Sequence, residues 1–193
     1  MLIGVLAIQG GFEAHSEMLR GLGAEVRDVR LAADLGGVDG LVIPGGESTT
    51  IVKGIESAGL EAPIRGHHDA GKPVFGTCAG MIVCDADHLG LLDVTARRNA
   101  FGRQMQSFEV DLSVDRIGEE PLRAVFIRAP WVERYGPGVE VLASYEGHPV
   151  AVREGGVLAC AFHPELTDDS RLHALFMAIT TKARSDARER AET

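Results

Sequence analysis

The stretch PVFGTCAGM, residues 73–81, predicts a strand, a tight turn and a helix in succession. It begins as a short apolar strand and becomes helical near Met81. A sharp turn between a strand and a helix needs small residues where the backbone is crowded, and Gly76 and Gly80 supply that room. The pattern predicts that Cys78 stands at the tip of a strand–turn–helix elbow.

Such an elbow would place the sulfur of Cys78 at the N-terminus of a helix, whose dipole favours the thiolate. It would also aim the N–H of Ala79 at a developing oxyanion. A cysteine in an arbitrary position is more often a small buried hydrophobe. The flanking glycines favour a nucleophile here instead.

A cysteine nucleophile needs an imidazole to share its proton and a carboxylate to orient that imidazole. The sequence AFHPE, residues 161–165, follows an apolar strand and places His163 and Glu165 two residues apart. Pro164 stiffens the loop between them. A single histidine and glutamate at this spacing are weak evidence for a catalytic pair. The remaining histidines lack even this context. We expect them on helix faces or at the surface: His15, His67, His68, His88, His148 and His173.

A third element is GLVIPGGESTT, residues 40–50, in which paired glycines end a strand and precede a helix. Free backbone N–H groups at such a turn can bind an oxyanion or a carboxylate. Taken alone, the segment is better explained as a simple turn with Ser48 as the helix N-cap. Together with Cys78 it predicts a second wall of one site.

The rest of the chain predicts an α/β fold with three layers, a mixed, mostly parallel sheet flanked by helices on both faces. Apolar runs that end in glycine predict buried strands, and apolar residues spaced three and four apart predict helices. The predicted strands are 2–8, 26–31, 40–43, 73–75, 108–114, 123–128, 140–145, 150–153 and 157–161. The predicted helices are 12–22, 48–59, 63–70, one beginning near 81, and a last one capped by Thr167, Asp168 and Asp169.

Composition indicates how many domains the chain has and which classes of partner are disfavoured. The chain has 193 residues, 45% of them hydrophobic, which suits a single domain over residues 1–181, followed by a charged, frayed tail at 182–193. The net charge of −9 disfavours nucleic acid and anionic membrane partners. No apolar run approaches the roughly 20 residues of a membrane span, and no signal peptide is recognisable.

Cysteine usage points to a reducing compartment. The chain has only three cysteines, Cys78, Cys84 and Cys160, and this small, odd number argues against a disulfide framework. We therefore expect free thiols and a cytoplasmic location. No cysteine and histidine cluster has zinc spacing, so no metal site is predicted.

Five motifs together resemble the glutaminase subunits of pyridoxal 5′-phosphate synthase, a branch of the class I (triad) glutamine amidotransferases with a flavodoxin-like fold. They are GLVIPGGESTT at 40–50, PVFGTCAGM at 73–81, RRNAFGRQMQSFE at 97–109, FIRAP at 126–130 and AFHPEL at 161–166. Only the elbow and the His-Pro-Glu segment are general to triad enzymes. The RNAFGRQ and FIRAP segments resemble this branch and separate it from the histidine, purine and anthranilate branches. Residues 81–90 form a shorter segment than in many members.

The resemblance implies that Cys78 is the nucleophile, His163 the general base and acid, and Glu165 the orienting carboxylate. It implies an oxyanion hole at Gly46 and Ala79 and no cofactor. It also implies that L-glutamine is bound by Gly46, Glu47, Ser48, Arg98, Ile127 and Arg128. A zwitterion needs a cation for its α-carboxylate and an acceptor for its α-ammonium, and we expect Arg98 and Glu47 in those roles. Cys84 matches no catalytic position.

The resemblance further implies a partner, a synthase subunit that receives the ammonia inside a large hetero-oligomer and forms pyridoxal 5′-phosphate as its own product. We expect the contact face near the mouth of the site, with residues 9–11 as part of it. Two alternatives stay open: a DJ-1-like α/β cysteine hydrolase or peptidase, and a regulatory subunit without catalytic activity.

Overall fold

The computed structural model describes residues 1–101 and 107–191 of the chain. Its strands are β1 (Leu2–Leu6), β2 (Glu25–Val29), β3 (Gly40–Ile43), β4 (Val74–Thr77), β5 (Val94–Arg97), β6 (Ser107–Leu112), β7 (Leu122–Ile127), β8 (Trp131–Tyr135), β9 (Glu140–Tyr145), β10 (His148–Glu154) and β11 (Val157–Cys160). Its α-helices are α1 (Phe12–Gly21), α2 (Ser48–Ser57), α3 (Glu61–Asp69), α4 (Ala79–Cys84) and α5 (Arg171–Ala191). Short 3₁₀ helices cover Ala32–Leu35 and Pro164–Leu166.

A seven-stranded sheet in the order β2-β1-β3-β4-β11-β10-β9 forms the centre of the fold. The first five strands of this order pair in parallel, and β10 and β9 continue the sheet antiparallel. Every residue of β3, β4 and β11 is buried, as strands covered on both faces require. The predicted α/β class with a mostly parallel sheet is confirmed.

Two small antiparallel sheets, β5 with β8 and β6 with β7, lie outside the main sheet. The sequence predicted β6 and β7 but not β5 or β8. Those two strands are short, and β8 exposes its charged residues Glu133 and Arg134. Neither strand therefore has an apolar run from which it could be predicted. Part of the predicted RRNAFGRQMQSFE motif, residues 102–106, lies outside the described residues.

The N-cap of α2 is Glu47, and the prediction that Ser48 caps this helix is wrong. The Glu47 carboxylate accepts hydrogen bonds from the backbone N–H groups of Thr49, at 3.1 Å, and Thr50, at 2.8 Å. Ser48 is instead the first helical residue and is buried. A carboxylate at this position also interacts favourably with the helix dipole.

The last helix also differs from the prediction at both ends. It begins at Arg171, after Asp169 has accepted the Arg171 N–H at 3.0 Å, rather than directly after Thr167. It continues to Ala191, so residues 182–191 are helical and not a frayed tail. An ion pair of 2.7 Å between Lys182 and Asp186, one turn apart, is part of this extension. No helix in the described ranges is long and apolar enough to cross a membrane.

Close backbone approach at the start of α4 explains the glycines of the elbow. A Cβ on Gly76 would lie 2.6 Å from the carbonyl oxygen of Gly80, and a Cβ on Gly80 would collide with the carbonyl oxygen of Ile43. The carboxyl ends of β3 and β4 therefore meet the first turn of α4 without any room for a side chain.

The substitution Gly80→Ala should lower the free energy of unfolding by about 2 kcal/mol or more, because its methyl group overlaps rigid backbone. Gly66→Ala in α3 is the matched control, since apart from its chain neighbours and the backbone of its own helix, no described atom lies within 4 Å of its Cβ position. That control should raise the stability by up to about 1 kcal/mol through helix propensity. Urea unfolding measures both, and a Gly80→Ala protein as stable as wild type would refute the steric account.

Candidate active site

Cys78 has a strained backbone at the tip of the elbow. It lies between β4 and α4 with φ 49° and ψ −108°, a conformation that residues with a Cβ rarely adopt. Its N–H donates to the carbonyl of Cys160 at 2.8 Å, which extends the parallel pairing of β4 and β11 by one residue. This bond helps to hold the strained backbone and fixes the thiol at the carboxyl edge of the sheet.

His163 and Glu165 lie beside Cys78, just beyond the end of β11. The His163 backbone is anchored to β7, where its N–H donates to Val125 at 2.9 Å. Its ring Nδ1 lies 2.8 Å from Oε1 of Glu165, and the ring lies beside the Cys78 side chain, since both approach the Cβ position of Gly45. The structure therefore aligns thiol, imidazole and carboxylate in the order that a catalytic triad requires.

The charges of this row are set by its hydrogen bonds. Burial alone would lower the pKa of His163, but its interactions with Cys78 and Glu165 outweigh burial and raise that pKa to about 10. Burial would raise the pKa of Glu165, yet the bond from His163 and the nearby ring of His15 leave it below its usual value. At neutral pH the arrangement holds an imidazolium against a buried carboxylate.

The glycine turn after β3 forms the wall that faces this row. The Gly45 N–H donates to Oγ1 of Thr77 at 3.0 Å. A Cβ on Gly45 would lie 2.6 Å from Cε1 of His163 and 3.1 Å from Cβ of Cys78, so only glycine fits. The turn that was predicted to be a second wall does lie against the thiol and the imidazole.

Residues 9–11, at the end of β1, hold this turn from behind. The side-chain oxygen of Gln9 accepts the Glu47 N–H at 2.8 Å, and the Gly11 N–H donates to the carbonyl of Gly45 at 3.3 Å. Gly10 has φ +100°, and a Cβ there would collide with the same Gly45 carbonyl. The carboxyl ends of β1, β3 and β4 thus form one edge of the site.

A cleft of about 400 Å³ opens over Cys78. Its lining includes all the predicted catalytic, glutamine-binding and oxyanion-hole residues, namely Gly46, Glu47, Ser48, Cys78, Ala79, Arg98, Ile127, Arg128, His163 and Glu165. Ala79 is the first residue of α4, where backbone N–H groups have no partner within the helix. The carbonyl of Ile127 lies 3.8 Å from Sγ of Cys78, and Arg128 follows with φ 45°.

Arg98 and Glu47 lie on one side of the cleft and pair with each other. A guanidinium nitrogen of Arg98 is 2.9 Å from Oε1 of Glu47, and a second one is 3.2 Å from Oγ1 of Thr49. Hydrogen bonds from Thr50 and Thr49 lower the pKa of Glu47 to about 2. One fixed cation and one fixed anion thus lie together at the cleft, each about half exposed.

Two histidines that the sequence placed on helix faces or at the surface are in fact fully buried behind Glu165. His15 on α1 has Nε2 at 3.3 Å from Oε2 of Glu165, and its Nδ1 lies 2.8 Å from Nε2 of His173 on α5. Both lie on helices, as does His67 on α3, so the expected helix-face position is confirmed, although all three side chains are buried. A signal existed for His15, because it shares the apolar spacing of Phe12 and Leu19.

Burial keeps these three rings uncharged. It lowers the pKa of His15 and of His67 to about 4 and that of His173 to about 3. Within residues 1–101 and 107–191, no group of three or more histidine, cysteine, aspartate or glutamate side chains could hold a metal ion.

Comparison with known proteins identifies the family. The model of the SNO glutamine amidotransferase family matches residues 5–182. The chain belongs to the SNO glutamine amidotransferase family. Among its relatives, a pyridoxal 5′-phosphate synthase subunit PdxT from Frankia alni is 53% identical over 192 residues, which cover 95% of this chain and 96% of the relative. A PdxT from Niallia circulans is 50% identical, with coverage of 95% and 100%.

Solved structures share this fold. A crystal structure of a glutamine amidotransferase superposes with a TM-score of 0.88 at 46% identity and covers 93% of this chain and 98% of its own. A putative GMP synthase protein from Thermoplasma acidophilum has a TM-score of 0.77 at 18% identity, with coverage of 97% and 98%. This second likeness shows that more distant proteins share the fold.

Buried neutral histidines predict a loss of stability in acid. Below pH 6.5 an unfolded chain protonates His67, whereas the folded chain does so only near pH 4. Between these limits the unfolded state binds more protons, so the free energy of unfolding falls as the pH falls. His67→Gln should reduce that slope by about 1.4 kcal/mol per pH unit.

Urea unfolding of wild type and His67→Gln at several pH values measures this difference. Above pH 7, where both states leave the ring neutral, the two stability curves should run parallel. Curves that stay parallel from pH 6.5 down to 4 would contradict a neutral His67 in the folded state.

Proposed function

We propose that this chain is the glutaminase subunit of a pyridoxal 5′-phosphate synthase, which hydrolyses L-glutamine to L-glutamate and ammonia. The observation that carries the proposal is the row of Cys78, His163 and Glu165 at the base of the cleft. The names of the relatives from Frankia alni and Niallia circulans support the assignment to this synthase. The activity is assigned to one domain, which includes the whole of α5 and so extends beyond the predicted boundary at residue 181.

In the first half of the reaction, the Cys78 thiolate attacks the side-chain carboxamide carbon of glutamine and forms a carbon–sulfur bond. The carbonyl electrons move to oxygen, and the N–H groups of Ala79 and Gly46 donate hydrogen bonds to the resulting oxyanion. His163 gives its proton to the amide nitrogen, and the carbon–nitrogen bond breaks. Ammonia leaves, and a glutamyl thioester remains on Cys78.

In the second half, His163 takes a proton from water, and the hydroxyl adds to the thioester carbon. The carbon–sulfur bond breaks, glutamate departs and the Cys78 thiolate is restored. Glu165 keeps its carboxylate charge throughout and orients the imidazole between the two proton transfers. Water and glutamine are consumed, and glutamate and ammonia are formed.

The charges at the cleft suit a free amino acid. Arg98 can bind the α-carboxylate of glutamine, and Glu47 can accept from its α-ammonium. Exposed ion pairs contribute little to stability, so the substrate can exchange the Arg98–Glu47 pair for its own two charges. Ser48, Ile127 and Arg128 line the remaining part of the cleft.

A partner subunit follows from the chemistry of the product. Free ammonia in neutral water is mostly ammonium, which is no nucleophile, so direct transfer to a second site is required. Residues 9–11 line the cleft, as does Leu166, whose surface is 54% exposed. This rim is the proposed contact face for the synthase subunit in a large hetero-oligomer, and pyridoxal 5′-phosphate is the product of that subunit.

The two alternatives fit the site less well. A DJ-1-like cysteine hydrolase or peptidase would share the elbow, but it gives no reason for the Arg98–Glu47 pair. A regulatory subunit would need no aligned thiol, imidazole and carboxylate.

The three free cysteines support the proposed location in a reducing compartment, the cytoplasm.

Glutamate release tests the nucleophile. Wild type assembled with the synthase subunit should release glutamate, and Cys78→Ala should lower kcat at least about 1,000-fold, because the thioester cannot form. Cys84→Ala is the matched control, a buried thiol at the end of α4, and should keep wild-type turnover. A folded Cys78→Ala protein with wild-type turnover would exclude Cys78. An inactive wild-type complex would favour the regulatory or hydrolase alternatives.

Arg98→Ala should raise the KM for glutamine about 10- to 100-fold with a smaller change in kcat, since it removes a charged partner of the α-carboxylate. Arg97→Ala is the neighbouring control. Arg97 lies over Trp131 and 3.6 Å from Glu133, away from the cleft lining. Steady-state kinetics of both variants decide the matter, and an unchanged KM in Arg98→Ala would refute the assigned role.

A further inference from the structure

The proposed mechanism leaves one half of the Glu165 carboxylate unexplained. Oε1 accepts from His163, but Oε2 is buried and makes no regular hydrogen bond within the described part of the chain. A buried carboxylate oxygen without a donor is costly. A polar group does lie close by: Nε2 of His15 is 3.3 Å away, and the same nitrogen lies 3.1 Å from Oγ1 of Thr77.

The tautomer of His15 decides whether this contact is attractive. If Nε2 carries the proton, it can be shared between Oε2 of Glu165 and Oγ1 of Thr77. Nδ1 is then a lone pair that accepts from Nε2 of His173, at 2.8 Å. Nδ1 of His173 has no partner among the described residues, and in this tautomer it is a lone pair rather than an N–H.

The opposite tautomer is unfavourable at both ends. His15 would donate from Nδ1 to His173, whose other nitrogen would then carry a buried N–H with no acceptor in residues 1–101 or 107–191. At the other end, the lone pair of His15 Nε2 could accept from the Thr77 hydroxyl, but it would also face Oε2 of Glu165 and leave that oxygen without a donor. Both defects cost free energy in a buried site.

We propose that His15 is a positioning residue of the glutaminase reaction: its Nε2–H fixes the second carboxylate oxygen of Glu165, and His173 selects the tautomer that supplies this donor. With both oxygens held, the carboxylate cannot rotate away from Nδ1 of His163. The proposal rests on the proposed function for its effect on turnover, but the tautomer itself does not depend on that function.

Burial supports this role, since it keeps His15 and His173 neutral at physiological pH. A neutral ring can donate one hydrogen bond to Glu165 without adding a second positive charge beside His163. The carboxylate therefore remains the partner of the His163 imidazolium alone.

Thr77 connects this histidine pair to the wall of the site. Its Oγ1 lies within hydrogen-bond distance of Nε2 of His15 and accepts the N–H of Gly45, at 3.0 Å. Gly45 belongs to the turn that faces Cys78 and His163. The same buried contact thus positions both the orienting carboxylate and the glycine turn.

Histidine side-chain NMR tests the tautomer on the chain alone. Long-range nitrogen–proton spectra of nitrogen-15-labelled protein at pH 7 should show His15 neutral with its proton on Nε2, and His173 likewise. His15→Leu identifies the signals. A proton on Nδ1 of His15, or a charged ring, would overturn the proposal whether or not the protein hydrolyses glutamine.

Kinetics of the complex with the synthase subunit test the effect. His15→Leu should lower kcat for glutamine about 10- to 100-fold with little change in KM, because a misplaced carboxylate affects the reaction more than binding. His15→Gln, which keeps an N–H donor near the Nε2 position, should restore most of the loss. His67→Leu is the matched control, another buried neutral histidine away from the triad, and should keep wild-type kcat.

A folded His15→Leu protein with wild-type kcat, or equal losses in His15→Leu and His15→Gln, would overturn the positioning role. Inactive wild-type protein in the same assay would instead count against the proposed function, and the NMR result would still decide the tautomer.

Discussion

The backbone of Cys78, held at φ 49°, is the constraint on which the rest of the site depends. A residue with a Cβ adopts this conformation only when its surroundings enforce it. Here the buried pairing of β4 with β11 continues through the bond from Cys78 to Cys160, while Gly76 and Gly80 let the first turn of α4 approach the strands. The core of the parallel sheet thus holds a strained turn that presents a sulfur at its edge.

Around this turn, the local environment of each imidazole determines whether it is charged or neutral. His163 interacts with both a thiol and a carboxylate, which keeps its pKa high despite burial. His15 and His173 are more deeply buried and stay neutral. Histidine is therefore charged on one side of Glu165 and neutral on the other.

Much of the site could be predicted because its chemistry is local in sequence. Glycines mark where backbone is crowded, so the elbow at Cys78 and the turn at Gly46 were recognisable, and the pair of His163 and Glu165 lies within three residues. Contacts between residues that are distant in the sequence could not be predicted. His15 meets His173 across 158 residues, and β5 and β8 depend on each other rather than on apolar patterns of their own.

Affinity labelling tests whether Cys78 is a nucleophile in a cleft that binds glutamine. The complex is treated with a glutamine analogue that carries a chloroketone in place of the carboxamide, and the modified peptide is identified by mass spectrometry. We expect one label per chain, on the peptide that contains Cys78, and slower labelling in the presence of glutamine. Labelling of Cys84 or Cys160 instead, or labelling of Cys78 that glutamine does not slow, would contradict this expectation.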